Sequence, residues 1–152
     1  MKKFFFIPIL FMLSFAACKK SDTPAIPKEN TIIATDNGTR TIYTSAGGSN
    51  GLSSFSGNYV LNLTSIVFYP NTIEIEVTSP TVIEAKTYTN TASANPVYIF
   101  YGPYVTDDSK VSGTVTITSI TASNIKGTFS GDVYNANGDK KTLSDGSFNV
   151  NF

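Results

Sequence analysis

Two kinds of hydrophobic pattern divide the chain. From Phe4 to Leu13 the residues are almost continuously apolar, behind a basic start at Met1, Lys2 and Lys3 and ahead of the small residues Ala16 and Ala17 and then Cys18. In several segments after Asn58, apolar positions alternate with smaller or more polar ones. Tyr59, Leu61 and Leu63 alternate with Val60 and Asn62, and Ile73, Ile75 and Val77 with Thr72, Glu74 and Glu76. Val115 and Ile117 alternate with Thr114, Thr116 and Thr118, and Ile125, Phe129 and Val133 with Lys126, Thr128, Ser130 and Asp132. The chain closes on Phe148, Val150 and Phe152, set between Ser147, Asn149 and Asn151. A period of two sends one set to a buried face and the other to water, as antiparallel sheets allow.

Turn chemistry falls between these segments. Asp36-Asn37-Gly38, Asn137-Gly138-Asp139 and Asp145-Gly146 are residues that tolerate positive φ between paired strands. The clearest predicted hairpin joins Lys126–Asn135 to Lys140–Leu143 through Asn137 and Gly138. On its first strand Gly127 and Gly131 lie on the inward face, where a missing side chain signals a bend or close packing. Ser45 to Gly57, rich in Gly and Ser, reads as a mobile loop. No long segment keeps a helical period, and 36 Ser and Thr residues after position 17 favour extended chain over helix. The expected fold is all-β: one antiparallel β-barrel or β-sandwich of about eight to ten strands.

The N-terminal run has the layout of a bacterial lipoprotein signal. Lys2 and Lys3 stay cytoplasmic while the apolar run enters the bilayer. Pro8 interrupts it, and it falls short of the roughly 20 residues of a spanning helix, so it reads as a processed signal over residues 1–17. Cys18 is the only cysteine and has no partner for a disulfide, which points to lipidation at its thiol. Ser14 and Ala16 also fit a small-x-small cleavage site of ordinary secretion, and Phe15 departs from the aliphatic residue usual in lipoprotein signals. Residues 18–30, with Pro24 and Pro27 among charged positions, read as a tether. Residues 31–152 then form one β domain.

The segments Gly113-Thr114-Val115-Thr116-Ile117-Thr118, Ile125-Lys126-Gly127-Thr128-Phe129-Ser130-Gly131 and Gly146-Ser147-Phe148-Asn149-Val150 resemble recurring strands of a family of uncharacterised lipoproteins from Bacteroidota. Lys86-Thr87-Tyr88 resembles that family's strand start, where a glycine commonly stands at Ala85 or Lys86. The resemblance implies a membrane-anchored all-β domain and transfers no catalytic residue.

Charge excludes little except nucleic acid. Eleven basic residues balance eleven acidic ones, and neither Lys19-Lys20 nor Lys140-Lys141 sits among aromatics that stack bases. With no His and no Trp, and the one Cys assigned to lipid, the inventory lacks zinc, Ser-His and Cys-His chemistry. The expectation is a non-enzyme without cofactor or metal. Glu74 and Glu76 share a strand face about 7 Å apart, a separation that overlaps that of glycosidase pairs, yet their alternation with Ile73, Ile75 and Val77 marks them as solvated. Asp107, Asp108 and Ser109 read as a turn, and neither they nor Asp36-Asn37-Gly38 carry the spacing of a calcium loop.

Aromatic residues carry the functional signal. Tyr98, Phe100, Tyr101 and Tyr104 cluster, with Tyr88 earlier and Tyr59, Phe68 and Tyr69 before that. Tyrosines stack on sugar rings and suit wet interfaces. On alternation Tyr98 and Phe100 share one face, and Val97, Ile99 and Tyr101 the other. Apolar residues on both faces predict a central strand covered on both sides, and core packing outweighs a ligand platform for this cluster. The candidate ligand contacts are Tyr88, Tyr98, Tyr101 and Tyr104. The functional expectation is an envelope lipoprotein, held at the outer membrane by its N-terminal lipid, that presents a β domain to a glycan, peptide or protein. Both periplasmic and surface display fit the anchor. The alternative is a calycin-like carrier with a small apolar ligand inside a barrel.

Overall fold

A computed structural model describes residues 27–66 and 72–152. The signal, Cys18, the tether as far as Ile26, and Phe68 and Tyr69 lie outside the described residues. Eleven strands follow in chain order: β1 Thr31–Asp36, β2 Thr39–Thr44, β3 Gly47–Leu52, β4 Tyr59–Ile66, β5 Thr72–Ser79, β6 Thr87–Thr89, β7 Val97–Tyr101, β8 Tyr104–Val105, β9 Thr114–Ile120, β10 Asn124–Tyr134 and β11 Lys140–Asn151. The fold is all-β, and no helix occurs among the described residues. The count exceeds eight to ten because β6 and β8 are very short.

Every pairing is antiparallel, and the main path runs β2-β1-β11-β10-β8-β7-β5-β4-β3. Its two edges, β2 and β3, are consecutive in the chain, separated only by Ser45 and Ala46. Ser45 has a φ of 60°, which turns the strand sharply. Beside this bend Ala46 N donates to Asn30 O at 2.9 Å and Ser65 Oγ donates to Thr44 O at 2.9 Å. One bent strand thus finishes one edge of the sheet and begins the other, which curls the sheet into a half-barrel.

A branch adds the remaining strands. β10 pairs with β9 from Ile125 to Ser130 and with β8 at Tyr134, and β6 pairs with β9. The glycines set inward on β10 permit this. A Cβ at Gly127 would sit 2.2 Å from Thr116 O and 2.5 Å from Phe148 Cζ, and one at Gly131 would sit 2.9 Å from Gly113 Cα. Asn90, 1 % exposed, staples the junction. Its Nδ2 donates to Val97 O at 2.9 Å and to Ser112 O at 2.6 Å, and its Oδ1 accepts from Val97 N at 2.9 Å.

The alternating apolar positions form the core. Leu61, Leu63, Ile73, Ile75, Val77, Val115, Ile125, Val133, Phe148 and Val150 are each fully buried, with Ile117 and Phe129 nearly so. Each such side chain stabilises by about 1.5–3 kcal/mol relative to exposure. The hairpin of β10 and β11 pairs Tyr134 with Lys140, as its turn residues predict.

Three expectations are corrected. Ser45 to Gly57 contains strand β3, because its backbone ladder to Tyr59–Thr64 needs no strong side-chain propensity once β4 is in place. Ser147 and Asn149, expected on a wet face, are buried beneath the lead-in to β1, where Asn149 Nδ2 donates to Pro27 O at 2.9 Å. β7 is central in the path but covered on one face only. Val97 and Ile99 are buried, Phe100 is half-buried and Tyr98 is exposed, because no second layer lies over the convex side.

Candidate functional site

The clustered tyrosines separate onto opposite faces of the sheet. Tyr101 ends β7 and Tyr104 begins β8, paired across the turn at Gly102 and Pro103. Both point to the concave side, half-buried against the core. Lys141, two residues before buried Leu143 and so on the same face of β11, places its ammonium 5.3 Å from the Tyr101 ring centre and 5.0 Å from that of Tyr104. It also donates to Asp36 Oδ2. That hydrogen bond, ahead of the opposing effect of burial, raises the lysine pKa. Tyr43 of β2 meets Tyr101 edge to face, with ring centres 6.5 Å apart at 77°. Burial, then the proximity of Tyr101, raises the Tyr43 pKa, so its phenol stays protonated. Asp36 Oδ1 is buried without a hydrogen-bond partner among the described residues. This constellation ties β1, β2, β7, β8 and β11 together, and its tyrosine faces are already occupied by a cation and by each other.

Tyr88 lies elsewhere. It is 6 % exposed in the core, its hydroxyl accepts from Glu84 N at 3.0 Å, and Lys86 Nζ stands 5.1 Å from its ring centre. It shares no surface with Tyr98, Tyr101 or Tyr104 that a ligand would span.

Tyr98 stands on the convex face, 39 % exposed. The register places Phe100 beside Val105, and Val105 beside Tyr134, so Tyr98, Phe100, Val105 and Tyr134 form an aromatic-rich strip across β7, β8 and β10. A cleft of about 600 Å³ opens along it, lined by Tyr98, Val105, Thr106, Asp107, Asp108, Tyr134 and Asn135 among others. Lys110 Nζ lies 3.7 Å from the Tyr134 ring centre and 3.4 Å from Asp107. Asp107 Oδ1 accepts from Ser109 N at 2.9 Å and Ser109 Oγ at 2.6 Å. These bonds, with Lys110 behind them, hold the carboxyl below its ordinary pKa. On the other flank Glu76 and Glu74 sit opposite Tyr98 and Phe100. Burial first, then Glu74, Glu76 and Asp108, raises the Tyr98 pKa, so the exposed phenol is a neutral donor. Glu74 is bonded by Asn62 Nδ2 and Glu76 by Thr78 Oγ1 at 3.3 Å.

The cleft therefore combines the exposed Tyr98 ring with a half-buried Tyr134 ring that Lys110 covers on one face, beside carboxylate and amide groups. Among the described residues no group of three or more metal-ligating side chains occurs. Of the residues at this cleft, the sequence pattern singles out Tyr98 as a candidate but not Tyr134 or Lys110. Tyr134 follows Val133 in β10, so alternation alone turns it outward. Its meeting with Val105 is a long-range pairing that no local pattern encodes. Against family models, curated proteins and solved structures, the chain matches none significantly.

Proposed function

We propose that this chain is a non-enzymatic envelope lipoprotein, anchored through Cys18, that binds a glycan in the convex-face cleft. The cleft at Tyr98 and Tyr134 is the observation that carries this reading, because the exposed Tyr98 ring and the half-buried Tyr134, beside Asp107, Asp108 and Asn135, match the alternating apolar and hydroxyl surfaces of a sugar chain. The resemblance of β9, β10 and β11 to strands of Bacteroidota lipoproteins fits the same envelope placement.

The carrier reading has less support. Concave positions are filled by Phe148, Phe129, Ile32, Leu61 and Ile99, which compete for the volume an internal ligand would need. Two measurements test the proposal. Cys18→Ser should shift the protein from the membrane to the soluble fraction, and unchanged membrane association would refute the anchor. Calorimetric titration with envelope and environmental polysaccharides should yield a binder whose affinity falls about tenfold, equivalent to about 1.4 kcal/mol, with Tyr98→Ala or Tyr134→Ala. Binding that ignores both changes would refute the site.

A further inference from the structure

Two large apolar side chains at one end of the sheet pack against nothing in the core. Phe55, at the tip between β3 and β4, is 100 % exposed, and Leu52 at the end of β3 is 62 % exposed. The tip is nonetheless held in shape. Ser53 N donates to Asn58 O at 2.8 Å and Gly57 N to Ser53 O at 2.9 Å. Ser53 Oγ accepts from Ser56 N and Ser56 Oγ from Asn58 N, both at 3.3 Å, and Gly57 takes a φ of 70°. With Ser53, Ser56, Gly57 and Asn58 N–H groups already bonded within the tip, part of the cost of moving its backbone out of water is met. Charge would oppose such a transfer, but no charged residue occurs between Arg40 and Glu74, a stretch that contains the whole hairpin.

We propose that this hairpin tip is a second membrane contact, with Leu52 and Phe55 seated in the interfacial region of the bilayer that holds the lipid. The inference rests on the lipidation of Cys18. Reach permits both contacts at once. β3 leaves the bend where Ala46 N bonds Asn30 O, and the six residues to Leu52 span about 20 Å. The nine residues from Cys18 to Pro27 extend to about 30 Å, longer than that separation. The acyl chains on Cys18 already hold the chain at the membrane, and a second apolar contact fixes how the domain sits on that surface. A bilayer suits this tip better than a protein partner. Apart from Leu52 and Phe55 the tip carries only Ser, Gly and Asn, which do not supply the broad apolar core of a stable protein interface, whereas two apolar side chains on an uncharged loop suit an interfacial insertion.

The chain contains no tryptophan, so Phe55→Trp introduces a single fluorescent reporter at a fully exposed site where folding is not at stake. The full-length lipidated variant is reconstituted into phosphatidylcholine vesicles with and without lipids brominated near the headgroup. The expected result is a blue-shifted emission that the bromines quench, lost when Leu52→Ser is added. A protein that floats with the vesicles while its tryptophan stays unshifted and unquenched overturns the hairpin contact and leaves the anchor standing. A blue shift that bromine does not quench and that grows with protein concentration overturns it in favour of a second copy of the chain. A protein that neither floats nor carries acyl groups on Cys18 brings down both readings.

Discussion

Replacing Gly127 with alanine adds one methyl group at the point where three strands are most tightly stacked. The new Cβ would lie 2.2 Å from Thr116 O and 2.5 Å from Phe148 Cζ. The carbonyl belongs to the β9 ladder and Phe148 is fully buried, so neither neighbour yields without breaking other contacts. Overpacking of a close-packed core costs about 1–3 kcal/mol, and this overlap with backbone lies at the upper end. Alanine recovers about 0.5–1 kcal/mol of the strand penalty carried by glycine, which leaves a net loss of about 2–2.5 kcal/mol. For a domain of this size about 4 °C accompanies each kcal/mol, so the melting temperature should fall by about 10 °C. Thermal and urea unfolding of the domain followed by circular dichroism measure this, with the urea slope unchanged if only the native state is strained. Gly51→Ala is the matched control, since nothing lies within 4 Å of its added Cβ, and it should leave stability level or slightly raised. Adding Phe148→Leu to Gly127→Ala should relieve the ring overlap but not the carbonyl overlap, giving a partial, non-additive rescue. A melting temperature for Gly127→Ala within 2 °C of the parent, roughly the scan-to-scan error, would show that β9, β10 and β11 are not in contact at this point.

Asn90→Ala strips partners from Val97 N, Val97 O and Ser112 O; at about 1–3 kcal/mol for each buried unpaired group, partly relieved by relaxation, a loss of about 3 kcal/mol is expected in urea unfolding. The Asp36–Lys141 pair has side chains 12 % and 29 % exposed, between the surface and buried cases, so Asp36→Ala should cost about 1–2 kcal/mol, with a coupling to Lys141→Met measurable by a double-mutant cycle. Asp132 has its pKa lowered, first by the Thr142 hydroxyl and then by Lys140. A depressed carboxylate stabilises above its ordinary pKa of about 3.9 and loses that contribution as pH falls through the folded value. Asp132→Asn should therefore flatten part of the acid limb of a stability-against-pH curve, and an acid limb identical to the parent's would contradict the assignment.

Local pattern accounts for much of the fold. Alternation marked Ile73, Ile75, Val77, Val115, Ile117, Ile125 and Val133 as inward, and the turn residues at Asn137 and Gly138 marked the hairpin that organises the sheet. Gly127 and Gly131 were legible as points of close approach because an inward glycine leaves room that something else must fill. β3 was not legible, since Gly47, Gly48, Ser49, Asn50 and Gly51 carry no strand preference and are extended only because β4 supplies a ladder. The candidate site was half legible. Tyr98 was visible as an aromatic on an alternating strand, but its exposure was not, and Tyr88, Tyr101 and Tyr104, neighbours in sequence or in type, proved to be packed away from it.

What the residues dictate by themselves is periodicity, turn positions and the inventory of reactive groups, because each of these depends on neighbours a few residues away. Which strands adjoin, where the sheet bends at Ser45 and forks at Gly131, and which tyrosines face water depend on contacts between positions distant in the chain. Those contacts exist only once loops have closed and the core has excluded solvent. The meeting of Val105 with Tyr134, and the separation of Tyr98 from Tyr101 by the thickness of the sheet, are therefore properties of the folded molecule.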